Sequence, residues 1–340
     1  MDPYRILRPF FFALPADIVE EVSQWAFRRR AWTLLSLGRK PGIPMETSIA
    51  GIDLSNPFGL AAGFDKNGDI TAAVASLGFG FVVLGSVRTT PHPGNPRPWF
   101  VRRLRDEGLV NAMGLPSKGS SHALGRLEDL HLQVPLLLSI VGESTSDIVQ
   151  VYENLKGLVE GFELNLSCPN TETGRTFEED LDAFEGLLKI FETVPGPIFL
   201  KLSPYETEEG RERALEMASR AIRRGMNSFT LCNTLPVEER GLGIGRGGLS
   251  GRPLFPLAVQ AVRDFYEEWG ERVNIVGVGG ILKGKEAFQM LASGARAVEV
   301  LTGLILRGPL VVRKLMEELE VIMKERGFQS VEELVGSGVG

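Results

Sequence analysis

Apolar residues along this chain alternate between two patterns. Short, nearly continuous apolar runs recur at Phe58–Ala62, Phe81–Gly85, Leu136–Val141, Phe162–Leu166, Ile198–Leu202, Ser228–Leu231, Val273–Val278 and Ala297–Leu301. Runs of four to six residues with this texture predict strands covered on both faces, as in parallel sheets. Between most of them, apolar positions return at helical spacing, over Ser144–Leu158, Glu178–Glu192, Glu208–Arg224 and Leu254–Trp269. Strand–helix alternation of this kind implies a parallel sheet with right-handed crossovers. Eight such units predict an α/β protein of the closed (β/α)8 or TIM-barrel type, with a doubly wound sheet as the rival arrangement. The intervals Thr89–Leu115 and Thr234–Arg252 are longer than connections need, so they predict extended active-site loops. A hairpin over Ile49–Leu54 is a candidate plug for the opposite end of the barrel.

The first forty residues depart from this pattern. Phe10, Phe11, Phe12 and Leu14 make a short apolar stretch closed by Pro15. Asp17 follows as a first-turn acid, and Ile18, Val22, Trp25 and Ala26 then fall at helical spacing. Arg28, Arg29 and Arg30 lie towards the end of that helix, where positive charge complements the helix dipole. Lys40-Pro41-Gly42 ends the segment, which divides the chain into an amino-terminal helical part (1–42) and a barrel (43–340).

Composition narrows the function. With 43% hydrophobic and 24% charged residues in 340, the chain is a folded protein, not a disordered one. The net charge is −6, yet the first forty residues carry +3, so the barrel is distinctly acidic. That balance argues against a nucleic-acid partner. Two cysteines cannot build a disulfide framework, and the three histidines form no zinc-type cluster, so no metal site is predicted. Nothing approaches the ~20 apolar residues of a membrane span.

In a barrel the chemistry lies at the carboxyl ends of the strands. The first strand leads into Ala62-Gly63-Phe64-Asp65-Lys66-Asn67, the second into Ser86, and the fourth into Asn165-Leu166-Ser167-Cys168-Pro169-Asn170. The fifth ends in Lys201, the sixth in Cys232-Asn233-Thr234, the seventh in Gly279-Gly280 and the eighth in Leu301-Thr302-Gly303. Glycine-rich loops after strands seven and eight form the usual barrel phosphate site, with backbone N–H groups and the Thr302 hydroxyl as donors. Lys66 and Lys201 beside such a pocket suit an anionic substrate and a ring that gathers negative charge; either lysine alone could equally be a surface residue. Asn111, Asn165, Asn170 and Asn233 offer donors and acceptors together, the kit for a ring edge of C=O and N–H groups, although each alone also suits a turn. Cys168 sits in a polar strand-end loop, and its thiol titrates near enough to neutrality to act as base or nucleophile. No histidine completes a Cys–His pair, which weakens a hydrolase reading. The literal G-x-G-x-x-G at Gly243–Gly248 does not join a strand to a helix and is discounted.

These residues resemble the dihydroorotate dehydrogenases, FMN-containing (β/α)8 enzymes of pyrimidine synthesis. The likeness is carried by Asn56-Pro57 through Lys66-Asn67-Gly68, Pro93–Pro98, Asn111–Gly114, Asn165–Asn170, Gly247–Leu254 and Thr302-Gly303, over nearly the whole chain. It implies that Ala62, Gly63, Lys66, Ser86, Asn165, Lys201, Gly251, Gly280, Leu301 and Thr302 contact FMN, with Cys232 at a further flavin position. It implies that Lys66, Asn111, Ala112, Met113, Gly114, Leu115, Asn165, Asn170, Asn233 and Thr234 surround dihydroorotate or its product orotate. Cys168 stands where the family places its catalytic base, which takes a proton while hydride passes to the flavin.

The family divides into a membrane-associated, quinone-reducing class and soluble classes using fumarate or a partner subunit. The amino-terminal segment with Phe10–Phe12 resembles the quinone class, as do Pro93–Pro98 and Gly247–Leu254. Cys168 and Asn111–Pro116 resemble the soluble classes, and strand three ends in Ser139-Ile140-Val141-Gly142 without the asparagine typical of quinone enzymes. The expectation is an FMN-dependent dihydroorotate dehydrogenase passing electrons to quinone, peripheral to the cytoplasmic face of the membrane through residues 1–40. The alternatives are a soluble cytoplasmic enzyme of the same family, or a non-redox phosphate-binding isomerase or lyase working through Lys66 or Lys201.

Overall fold

The structure, a computed structural model, describes residues 2–29, 42–166 and 176–339. Two helices open the chain, α1 (Pro3–Ala13) and α2 (Ala16–Arg28). The sequence pattern predicted only the second; α1 forms over the apolar stretch, started by the Asp2 carboxylate accepting from Tyr4 N at 3.0 Å and carrying Pro9 inside it. Arg30 and Trp32 lie outside the described residues.

A short antiparallel hairpin follows, β1 (Thr47–Ile49) with β2 (Ile52–Leu54). Then come β3 (Phe58–Leu60), helix α3 (Thr71–Ala75), β4 (Phe81–Val87), β5 (Phe100–Arg103) and β6 (Gly108–Asn111). Helix α4 (Ser120–Leu127), β7 (Leu136–Ile140), α5 (Thr145–Leu155) and β8 (Gly161–Asn165) precede α6 (Thr176–Glu179) and α7 (Leu181–Phe191). The chain continues through β9 (Ile198–Leu202), α8 (Glu208–Arg223), β10 (Ser228–Leu231), β11 (Leu235–Glu238), β12 (Arg246–Gly251) and α9 (Phe255–Trp269). It closes with β13 (Asn274–Val278), α10 (Gly284–Ala292), β14 (Ala297–Val300), α11 (Thr302–Arg307), α12 (Val311–Arg326) and α13 (Val331–Leu334).

Strands β3, β4, β7, β8, β9, β10, β13 and β14 close in that order into an eight-stranded parallel barrel, so the doubly wound alternative falls away. Each strand lies on an expected apolar run, because burial on both faces requires nearly every side chain to be apolar. Helix starts follow local chemistry: Ser144 and Asp147 form a reciprocal cap on α5, and the Thr207 hydroxyl accepts from Gly210 N on α8. The β1–β2 hairpin seals the amino-terminal end of the barrel, with Ile49, Ile52 and Leu54 buried against Phe81, Val83, Leu137, Phe199 and Val276.

The two long intervals are not plain loops. Strands β11, β12, β6 and β5 form a separate antiparallel sheet over the carboxyl end of the barrel, pairing Phe100 and Gly248 with Asn111 from either side. Its own small core holds Val110, Ala112, Leu242 and Leu249. Helices α1 and α2 are tied to this sheet and to the barrel by directed bonds. Arg102 Nη1 donates to Phe12 O (3.1 Å) and Leu14 O (2.9 Å), Trp99 N donates to Asp17 Oδ1 (2.9 Å), and Tyr4 OH donates to Ile305 O (2.5 Å).

Candidate active site

A single continuous cavity runs from the strand ends to the underside of α1 and α2. Its deep end is polar. Asn233 Nδ2 donates to Asn165 Oδ1 (3.2 Å), Asn165 Nδ2 donates to Ser86 Oγ (2.9 Å), and Ser86 Oγ lies 2.9 Å from Ser139 Oγ. This hydrogen-bonded string crosses the ends of β10, β8, β4 and β7 and fixes each amide's orientation. Ser139 therefore joins the site through Ser86, at the strand-three end that lacks an asparagine.

Lys201 lies beneath that string, buried at the end of β9. Its ammonium donates to both oxygens of Glu163 (3.3 and 3.4 Å), and Glu299 Oε2 is 3.7 Å away. Burial alone would pull the Lys201 pKa down; the two carboxylates reverse the sign and hold it above the ordinary lysine value. Cys232 packs beside it, its thiol pushed up to about 12 by burial, so it stays neutral. A buried, neutral thiol is chemically inert packing.

The opposite wall is backbone. Gly251 has φ +85° and Gly280 φ +75°, conformations that favour glycine. A Cβ on Gly251 would fall 2.3 Å from Glu107 O, and one on Gly280 would fall 2.5 Å from Phe255 Cβ and 2.9 Å from Gly251 O. Any side chain would therefore force these closely packed loops apart, beside the point where Ser250 Oγ and Thr302 Oγ1 lie 2.8 Å apart. A bare-backbone cradle with hydroxyls at one end, and a lysine with amide edges at the other, fits a flavin nucleotide: phosphate at the cradle, ring edge at Lys201 and Asn165.

Lys66 is placed by Asp65, whose buried carboxylate accepts from the backbone N–H groups of Gly68 (3.0 Å), Asp69 (3.2 Å) and Ile70 (3.3 Å) and from Thr71 Oγ1 (2.5 Å). Burial raises the Asp65 pKa against the opposing pull of those bonds. Asn111, Met113, Gly114, Leu115 and Thr234 also line the cavity, with Ala62, Gly63 and Leu301. Ala112 does not: strand alternation turns it into the core of the small sheet, so only its backbone is engaged, through Trp99 O and Asn95 Nδ2. Cys168 and Asn170 lie outside the described residues.

The shallow end is apolar, walled by Phe11, Phe12, Val19, Val22, Phe27 and Phe64. Arg102 reaches into it with a buried Nη2 that has no hydrogen-bond partner among the described residues, and burial lowers its pKa. Three acidic residues that the sequence reading passed over matter here: Glu20, Glu163 and Glu299. The last two had a legible signal, since each is a carboxylate set in the middle of an apolar strand (Phe162-Glu163-Leu164 and Val298-Glu299-Val300).

Fold and site together define a (β/α)8-barrel enzyme with a glycine-lined cradle at the strand ends and an apolar passage under an amino-terminal helix pair. The chain belongs to the dihydroorotate dehydrogenase family, a family of flavin-using enzymes, whose family model matches residues 44–323. It is 33% identical to a protein named dihydroorotate dehydrogenase (quinone) from Haloarcula marismortui, with 99% of each chain covered. Identity is also 33% to the mitochondrial dihydroorotate dehydrogenase (quinone) of Mus musculus, covering 91% of this chain and 85% of that one. The crystal structure of dihydroorotate dehydrogenase (DHODH) from Eimeria tenella in complex with ferulenol superimposes with a TM-score of 0.82 at 27% identity, covering 94% and 95% of the two chains.

Proposed function

We propose that this chain oxidises dihydroorotate to orotate with FMN as its flavin and passes the electrons to a quinone. The observation that carries the reading is the two-ended cavity: an amide and ammonium end built for a polar anionic ring, continuous with an apolar end floored by α1 and α2. FMN, when bound, supplies the hydride acceptor. Lys66, Asn111, Asn165, Asn233 and Thr234, with Asn170, would hold dihydroorotate, and Cys168 would take its proton. The Asn233–Asn165–Ser86 string keeps the amides pre-oriented, so little reorganisation accompanies binding. Lys201 would meet the negative charge that arrives on the flavin.

At the apolar end, the unpartnered Arg102 Nη2 offers a donor to a quinone carbonyl oxygen in surroundings that suit an isoprenoid tail. No described helix is long and apolar enough to cross a membrane. On this reading residues 1–42 form an access segment that lies on the cytoplasmic face, and residues 43–340 form the FMN barrel. The test is anaerobic reduction by dihydroorotate followed by reoxidation with quinone, fumarate and NAD in turn. Fast reoxidation by quinone alone is expected; fumarate as the fast oxidant would assign the soluble type, and a colourless protein would end the flavin reading.

A further inference from the structure

Lys201, Glu163 and Glu299 place one buried cation between two buried carboxyl groups. Each carboxylate side chain is 1% exposed and the lysine 7%, so the group is effectively dry. The two carboxyls are not equivalent. Glu163 takes the ammonium with both oxygens, whereas neither oxygen of Glu299 has a hydrogen-bond partner among the described residues. An ionised carboxylate in such a place costs several kcal/mol unless it is paired and hydrogen-bonded, and the available partner is already engaged by Glu163. Protonating one carboxyl leaves the trio neutral, and Glu299 is the one whose ionised form accepts no hydrogen bond among the described residues and meets Lys201 only at 3.7 Å.

We infer that Glu299 holds a proton beside the Lys201–Glu163 ion pair, binding it more tightly when negative charge arrives on the cavity side of Lys201 and less tightly when that charge leaves. Glu299 lines the same cavity as Ser86, Asn165, Lys201 and Gly280, so it lies beneath the place where the flavin ring would sit; the inference rests on that reading. Burial, with the Glu163 charge added and the Lys201 charge opposing, pushes the Glu299 carboxyl up to about 8, within reach of working pH. Its surroundings contain few other ionisable groups. Its neighbouring strands present Phe58, Gly59 and Leu60 on one side and Val276, Gly277 and Val278 on the other. Across the barrel, among the described residues, stand Lys201 and Glu163, with the Cys232 thiol neutral beside Lys201.

The balance is simple. Hydride from the substrate brings two electrons and one proton to the site. Glu299 binds one further proton from solvent as the added negative charge draws on the field of Lys201, and it returns that proton to solvent when the electrons leave. Glu299 thus acts through Lys201, as a positioning residue for charge.

Two measurements test this on the full chain. Infrared spectra of the flavin-free protein, taken across the pH range bracketing 8, should show a protonated carboxyl band that titrates there and is missing in Glu299→Gln. The midpoint potential of the FMN-loaded protein over the same range should fall more steeply with pH than that of Glu299→Gln. The excess is up to one proton per two electrons, a tenfold equilibrium change per pH unit or ~30 mV. No such band in the wild-type chain, a band that survives Glu299→Gln, or equal slopes in the two proteins would each overturn the inference. The wild-type infrared titration decides the protonation even if the variant does not fold. A protein that takes up no FMN overturns the flavin reading first, and the coupling with it.

Discussion

The Lys66 ammonium lies 2.9 Å from Glu20 Oε1, so the loop after the first barrel strand is held by charge to helix α2. Both side chains are largely sheltered (11% and 22% exposed), which lifts the pair above the usual surface ion pair. Both also line the cavity. If Lys66 receives the substrate carboxylate, Glu20 competes with substrate for the same cation. Glu20→Gln should therefore tighten orotate binding by about 1 kcal/mol, ~5-fold, read from the flavin absorbance change on titration. Weaker binding in the variant would instead make Glu20 the group that aims Lys66.

Cys168 is proposed as the base because the Asn165–Asn170 run resembles the family's catalytic loop. An unperturbed thiol titrates near ~8.5 and is partly ionised at neutral pH. Cys168→Ala should slow reduction of the bound flavin by dihydroorotate by ~10²-fold or more, the usual scale for losing a general base. Flavin content should not change, because the proposed role of Cys168 is to take a proton from substrate. Stopped-flow reduction at the wild-type rate would remove Cys168 from the chemistry.

Glu299 also has a consequence for stability. Its carboxyl titrates near 8 in the folded chain, against roughly 4.3 when unfolded. A raised carboxyl pKa means the unfolded chain releases the proton first, so the wild-type protein loses stability as pH rises from about 4 towards 8 and no further beyond. Glutamine carries no such penalty. Glu299→Gln should be the more stable protein at pH 8, by about 1–4 kcal/mol, with the gap closing towards pH 4. Urea unfolding of the flavin-free proteins at the two pH values measures the difference; a gap that widened in acid would reverse the sign and refute the assignment.

The barrel was legible because each of its strands is a local signal. Ile198–Leu202 and Ser228–Leu231 match their expected runs residue for residue, since strands covered on both faces are mostly apolar, with Lys201, Ser228 and Thr230 as buried polar exceptions. The small antiparallel sheet was not legible. Arg246–Gly251 is half glycine, and it pairs with Gly108–Asn111 across more than a hundred residues, a partnership no local window contains. Helix α1 was missed for a related reason: Pro9 inside it breaks the pattern, and docking to Ile305 and Arg102 supplies what local propensity lacks. At the site, strand-end residues could be read from position alone, as with Lys201 and Asn165. The Lys66–Glu20 pair could not, because it joins two elements whose relative placement only packing determines.

The amino-terminal helices carry the remaining question, which is where electrons leave. Their outer faces expose Ile6, Phe10, Leu14, Ile18 and Trp25, with Phe10 at 70% and Trp25 at 58%. Arg29 stacks over the exposed Trp25 and Arg8 over the half-buried Phe12, so cationic heads flank the exposed rings. That mixture suits an interfacial surface, aromatics entering the acyl boundary and arginines meeting anionic head groups. The inner faces meanwhile wall the apolar end of the cavity, beside Arg102. Removing residues 1–40 takes away that wall, the interfacial surface and the Glu20 partner of Lys66, but leaves the glycine cradle and Lys201 on the barrel. The truncated protein should keep its flavin and still reduce it with dihydroorotate at a rate within a few-fold of the full chain. It should lose binding to anionic vesicles, and turnover with a long-chain quinone should fall by ~10-fold or more, the loss of about 1.4 kcal/mol or more of acceptor binding. Steady-state assays with quinone and vesicle co-sedimentation read the two losses separately. Full-rate turnover of long-chain quinone by the truncated chain would defeat the access role of α1 and α2 and move the acceptor to another face of the barrel.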